Sequence, residues 1–285
     1  MDHVSFERQP GLDRPVLICA FTGWNDGGEA ASTAAAYLRD RWSAERFARL
    51  DPEEFFDFQV TRPTVRLVDG VTRRIEWPEN DFYSAKLPSR DVGLFLGIEP
   101  NVRWRAFTEQ IIGTAREIGA ETILLLGAFL ADVPHTMPSP VTGSAPDQET
   151  AQRLGLSGSR YEGPSGIVGV LHDAASRAGL DTISFWAAVP HYLPSGPNPK
   201  AALALVEKVA RYLDAPVATD TLERAAATWE TQISEMIEDN EELATYVERL
   251  ERSAEEGDDL GDVPSGDVLA AELERFLRDH RQEGP

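Results

Sequence analysis

Residues Pro15–Glu29 read PVLICAFTGWNDGGE, and this stretch decides the fold. Val16–Phe21 is a short, almost wholly apolar run, the pattern of a strand covered on both faces. It breaks at Thr22-Gly23-Trp24. Asn25-Asp26-Gly27-Gly28-Glu29 then opens a helix rich in alanine. Asp26 stands where an N-cap belongs, and Glu29 is placed to reach back to it in a capping box. In an open α/β sheet, ligands bind in the crevice beyond the carboxyl ends of the strands. A glycine-lined helix start at that edge is therefore a candidate binding element.

Working outward, strands alternate with helices. Thr64–Trp77 carries Asp69-Gly70 between β-rich flanks, a two-residue hairpin signal. Val92–Ile98 and Thr122–Leu130 read as buried strands, and Thr182–Val189 as another. Between them, Trp104, Phe107, Ile111, Ala115 and Ile118 recur at helical spacing, as do Val168, Leu171, Ala175 and Ala178. Asn198-Pro199 fits an N-cap followed by a first-turn proline, opening a helix to about Leu213. The order predicts an α/β fold, and the inserted hairpin predicts a mixed sheet flanked by helices.

The tail differs in kind. Of a net charge of −21, residues 219–285 hold −14, from 20 Asp/Glu and 6 Arg. This shift divides the chain into an α/β domain over 1–218 and an acidic helical hairpin extension over 219–285. Leu222, Trp229, Met236, Leu243 and Leu250 recur every seventh residue, as do Ala226, Ile233, Asn240, Val247 and Ala254. This is the seam of a coiled coil or helical hairpin over 219–256, with Asn240 inside it. A turn-rich loop and a second amphipathic helix, Val268–Leu277, then fold back. Such a hairpin serves either its own domain or a second subunit.

Composition excludes several classes. The acidic balance argues against a nucleic-acid partner, which needs a basic face. No apolar run approaches the roughly 18 residues of a membrane span. Met1–Pro10 lacks the basic flank and apolar core of a secretory signal. The single cysteine, Cys19, sits inside the first apolar strand and reads as a small core residue in a reducing compartment. These features predict a cytoplasmic protein with no membrane partner.

No phosphate-binding lysine loop, nucleophile elbow, H-E-x-x-H, C-x-x-C or G-x-G-x-x-G is present, and the five histidines show no metal-ligand spacing. No cofactor or metal is expected, and no catalytic residue is assigned. What remains is a set of polar residues at strand ends: Asn25 and Asp26, Glu99 and Asn101, Asp132 and His135, His191 and Tyr192. With the helix starts at Gly27-Gly28 and Ser165-Gly166, the candidate ligand-binding residues are Asn25, Asp26, Gly27, Gly28, Asp132, His135, Ser165, Gly166 and His191. Free N–H groups at such starts suit a phosphate or another anion. Each also has a structural alternative. Asp26 and Ser165 serve as plain helix caps, and the two histidines fix their loops by hydrogen bonds.

Four blocks carry a family resemblance. They are Phe21–Gly28 (FTGWNDGG), Leu130–Thr136 (LADVPHT), Tyr161–Gly169 (YEGPSGIVG) and Trp186–Tyr192 (WAAVPHY). In collinear order over about Val16 to Leu213, they resemble the actinobacterial branch of the proteasome assembly chaperone family. The resemblance implies a fold related to purine nucleoside phosphorylases, self-association, and in archaeal and eukaryotic relatives help in assembling proteasome core subunits. It implies no reaction. Relatives that dock on the proteasome end carry a hydrophobic–Tyr–any-residue C-terminus, whereas this sequence ends Arg281–Pro285 (RQEGP). Docking is therefore expected to use another surface. Two functions follow as expectations. One is a non-enzymatic assembly factor whose partners are itself and proteasome subunits or another protein. The alternative is a nucleoside- or phosphate-binding protein or enzyme using the strand-end crevice.

Overall fold

A computed structural model describes residues 2–156, 161–193 and 196–256. The chain opens with β1 (Val4–Phe6) and β2 (Val16–Thr22), then a 3-10 turn (Gly27–Glu29) and helix α1 (Ala30–Arg41). Next come β3 (Glu45–Leu50), the hairpin strands β4 (Thr64–Val68) and β5 (Thr72–Glu76), β6 (Asp81–Ala85) and β7 (Val92–Ile98). α2 (Trp104–Glu117), β8 (Thr122–Ala131), β9 (Val141–Ser144), α3 (Gln148–Leu154), α4 (Ile167–Arg177) and β10 (Asp181–Pro190) follow. Three helices, α5 (Pro199–Leu213), α6 (Asp220–Glu238) and α7 (Glu241–Glu255), complete the described chain.

Eight strands form one sheet in the order β1-β3-β6-β7-β2-β8-β10-β9. The four central strands β7, β2, β8 and β10 are parallel. β6, β3 and β1 on one side and β9 on the other run antiparallel to their neighbours. The sheet is therefore mixed, as expected, but the hairpin is not the cause. β4 and β5 pair only with each other and form a separate two-stranded sheet.

Side chains alternate across the strands, so the central sheet buries both faces. On β2, Val16, Ile18 and Ala20 pack into a layer with Ala34 and Leu38 of α1 and Leu205 and Val209 of α5. Leu17, Cys19 and Phe21 point the other way, toward Phe107 and Ile111 of α2 and Leu171 of α4. The result is a three-layer sandwich. The second layer is aromatic: Phe107 lies 5.2 Å from Phe55 and 6.2 Å from Phe95, and Phe95 lies 4.6 Å from Phe82. Cys19 is fully buried there, and burial raises its thiol far above the usual range.

The tail needs one correction. The heptad series does not run along one helix, because the chain breaks between α6 and α7. Asn240 is not a seam residue but the N-cap of α7, its side chain accepting from Leu243 N at 3.1 Å. Capping competes with helix continuation, and Asp239-Asn240 is where the cap prevails. The loop and helix read over 257–285, including Val268–Leu277, lie outside the described residues.

Candidate functional site at the carboxyl edge of the sheet

Because β7, β2, β8 and β10 are parallel, their carboxyl ends share one edge, and the nine candidate residues lie along it. Two networks and the separate Asp26 cap of α1 make up this edge.

The first is centred on Glu99, directly after β7. Its Oε1 accepts from Asn25 Nδ2 at 2.9 Å and from Ile167 N at 2.8 Å, and its Oε2 accepts from Trp24 N at 3.2 Å. Asn25 is buried, and its carbonyl accepts from Ala128 N at 2.8 Å, tying β2 to β8 beyond their ladder. Gly166 is the N-cap of α4, and a Cβ there would lie 2.2 Å from Asn25 Oδ1, so only glycine fits. Ser165 does not cap the helix. It is exposed, with its hydroxyl directed at the Gly166 carbonyl at 3.4 Å. The amino end of α4 therefore already faces an anion, the Glu99 carboxylate.

The other glycine-rich start is filled in the same way. Asp26 Oδ1 accepts from Ala31 N at 2.8 Å and Ser32 N at 3.2 Å, and Oδ2 from the Ser32 hydroxyl at 2.5 Å. Asp26 thus caps α1 across the intervening turn. Glu29 does not complete a capping box, because it sits in the left-handed region at φ 49° with no side-chain bond to the cap. Gly28 also has positive φ, at 57°, and its carbonyl accepts from Asn198 N at 2.7 Å. Burial pushes the Asp26 carboxyl up, against the lowering effect of its bonds to Ser32 and Ala31.

The second network lies beyond β8 and β10. His135 is 3% exposed, and its backbone N donates to the Tyr192 hydroxyl at 2.8 Å. That hydroxyl is 2.9 Å from Nδ1, while Nε2 is 3.1 Å from Ser234 Oγ on α6. The self-consistent assignment has Tyr192 donating to Nδ1 and Nε2–H donating to Ser234. Lys200 Nζ donates to the His135 carbonyl at 2.7 Å and pairs with Glu230 of α6. Asp132 Oδ1 accepts from Tyr246 of α7 at 3.1 Å. His191 Nδ1 approaches the same oxygen at 2.9 Å, close enough for an ion pair but outside hydrogen-bond alignment. Thr136 donates to Glu251 of α7. Helices α6 and α7 therefore close over this half of the edge.

Among the described residues, no group of three or more His, Cys, Asp or Glu side chains is placed to hold a metal ion. No helix among them is long and apolar enough to cross a membrane.

A family model described as the PAC2 family matches residues 20–237. The chain belongs to the PAC2 family. A PAC2 family protein from Streptomyces avermitilis is 43% identical, with a TM-score of 0.75, over 82% of this chain and 99% of that one. A Mycobacterium tuberculosis proteasome-assembly chaperone homologue is 45% identical, with a TM-score of 0.75, over 81% of this chain and 99% of that one. A Pyrococcus furiosus archaeal proteasome activator shares the fold at 18% identity and a TM-score of 0.68, over 83% of this chain and 99% of that one. No curated protein matches significantly. The four sequence blocks that suggested the family all fall within the matched residues.

In this PAC2 chain two histidines shifted by burial should make stability depend on pH. Burial, reinforced by Lys200, holds His135 below the usual histidine value of 6.5, against the opposing pull of Glu230 and Glu251. Burial also lowers His172, whose Nε2 lies 3.0 Å from Ser144 Oγ. Each histidine binds a proton more readily when unfolded. Its contribution is therefore complete above the unfolded value and is lost as pH falls through it toward the folded one. Asp26 has the opposite sign: its raised folded value favours the native state as pH falls into the carboxylate range. The melting temperature should fall between about pH 7.5 and pH 5. His135→Gln, which does not titrate, should flatten that slope; an unchanged slope would rule His135 out as a contributor.

Proposed function

We propose that this PAC2-family protein is a non-enzymatic cytoplasmic assembly factor that self-associates and binds proteasome core subunits before they are assembled. The observation that carries this reading is the state of the carboxyl edge. Both helix starts suited to an anion are met by the chain's own Glu99 and Asp26 carboxylates. The other half of the edge lies under α6 and α7 through His135–Ser234, Lys200–Glu230 and Asp132–Tyr246. A sheet edge used in this way is a scaffold, and the free outer surfaces are left for protein contacts. The similarity to a chain described as a proteasome-assembly chaperone homologue supports the choice of partner. Closed homo-oligomers are the usual form of self-association.

The test is native mass spectrometry of the full chain mixed with proteasome core subunits from the same genome. The expected result is a complex with unassembled subunits and faster formation of the assembled core. Absence of a complex, together with calorimetric heat from inorganic phosphate or a nucleoside, would overturn the proposal.

A further inference from the structure

Away from the carboxyl edge, the corner of the sheet beside α4 joins a serine hydroxyl to an imidazole. On α4, Val168, Leu171 and Ala175 face the sheet, and His172 and Ser176 follow at the same helical spacing. Ser176 Oγ reaches Thr182 of β10 at 3.2 Å. His172 Nε2 reaches Ser144 at 3.0 Å, one strand further out on β9, the last strand of the sheet. Ser144 stands opposite Ser184 of β10, and their hydroxyls are 2.8 Å apart.

These contacts fix the direction of the protons. Ser184 Oγ accepts from Ser144 N at 3.2 Å, and its own proton has no acceptor among the described residues other than Ser144 Oγ. Ser144 therefore accepts from Ser184 and donates to His172 Nε2, which places the imidazole proton on Nδ1. Burial, against the pull of Asp173, keeps this imidazole neutral at neutral pH. A serine donating to a neutral imidazole, with a second donor directed at its oxygen, is a nucleophile beside its base.

The neighbouring surface is aromatic. Trp186 lies two residues beyond Ser184 on the same face of β10, about 7 Å along the strand. Gly127 of β8 lies opposite it, and a Cβ there would come within 2.5 Å of the indole, so the ring fills the space a side chain would take. Phe129 lies 6.5 Å from the indole. Ser144, His172, Phe129 and Trp186 are all half-buried and partly open to solvent.

We propose that Ser144 is a reactive acyl acceptor, with His172 as its base, for activated esters whose aromatic or alkyl part rests on Trp186. Ser144 Oγ attacks the carbonyl carbon and its proton passes to His172 Nε2. The bond to the leaving alcohol breaks, and that oxygen takes the proton back from the imidazolium. The products are an acyl-serine and a free alcohol. Uptake ends there, once per chain, so the site adds a modification to the assembly factor proposed above and does not rest on that role.

An aryl fluorophosphonate probes the same step: the Oγ–phosphorus bond forms, the phosphorus–fluorine bond breaks, His172 takes the proton and fluoride leaves. Mass spectrometry of the full chain at neutral pH should show one adduct, and peptide mapping should place it on Ser144. Chain unfolded in urea should not label. Ser144→Ala should abolish the adduct, and His172→Gln should slow it about 100-fold, the usual contribution of a general base. Trp186→Ala should slow the aryl probe more than its methyl counterpart. Circular dichroism and melting verify that each variant is folded. No adduct on the folded parent, or an adduct on another residue, would overturn the proposal without recourse to any variant. Labelling of folded His172→Gln at the parental rate would overturn the role of the imidazole, and equal slowing of the two probes that of the indole.

Discussion

Glu99→Ala should destabilise the protein by about 3 kcal/mol, because each buried donor left without an acceptor costs about 1–3 kcal/mol. The carboxylate serves Asn25 Nδ2, Ile167 N and Trp24 N at once. The first two donors lie in the protein interior, while Trp24 is exposed and its N–H can turn to water. For a chain of this size the loss corresponds to a fall of roughly 6–10 °C in melting temperature. Glu99→Gln, which keeps an acceptor oxygen but removes the charge facing the amino end of α4, should cost about 1 kcal/mol. Added acetate, small enough to enter the vacated space, should restore part of the loss in Glu99→Ala and none in the parent. A Glu99→Ala protein that melts with the parent would show that the edge does not depend on this carboxylate.

Truncation after Pro216 should have the larger effect, on the order of 5 kcal/mol, from the apolar burial lost with α6 and α7. Leu222, Ile237, Val247 and Leu250 are all buried, and Leu222 joins the core layer beneath α1 and α5. The truncation also removes Ser234 from His135 and Glu230 from Lys200, leaving the imidazole only Tyr192 and the ammonium only the His135 carbonyl. The truncated chain should bind a hydrophobic dye and aggregate on warming. An unchanged melting temperature and solution mass would show that the tail is an independent appendage.

The parallel centre of the fold was legible because β2, β7, β8 and β10 are apolar on both faces, and each was read within two residues of its bounds. The antiparallel strands were not. β3 reads ERFARL and β6 reads DFYSA, sequences whose charges argue for loops until they pair. Asp81 of β6 is 3% exposed and meets Arg46 of β3 at 3.1 Å, an ion pair that local composition cannot display. The candidate site shows the same division. Asn25, Asp26 and Gly166 stood out through local capping chemistry and glycine content. Glu99 was noticed only as a polar residue after a strand, although a carboxylate directly after a buried strand was the available signal for its central position. Ser234 and Tyr246 reach their partners from 99 and 114 residues away and Glu230 reaches Lys200 from 30, and no local pattern places them there.

Cys19 gives the molecule a built-in clock. The chain's single thiol lies on the central strand β2, sealed beneath the phenylalanine layer. A thiol reagent can reach it only after the sheet itself comes apart, so fraying termini and surface loops leave it silent. Alkylation at neutral pH therefore counts rare whole-molecule openings in the unmodified protein, with no label to introduce. Its rate would rank every substitution considered above by its effect on the cooperative unit.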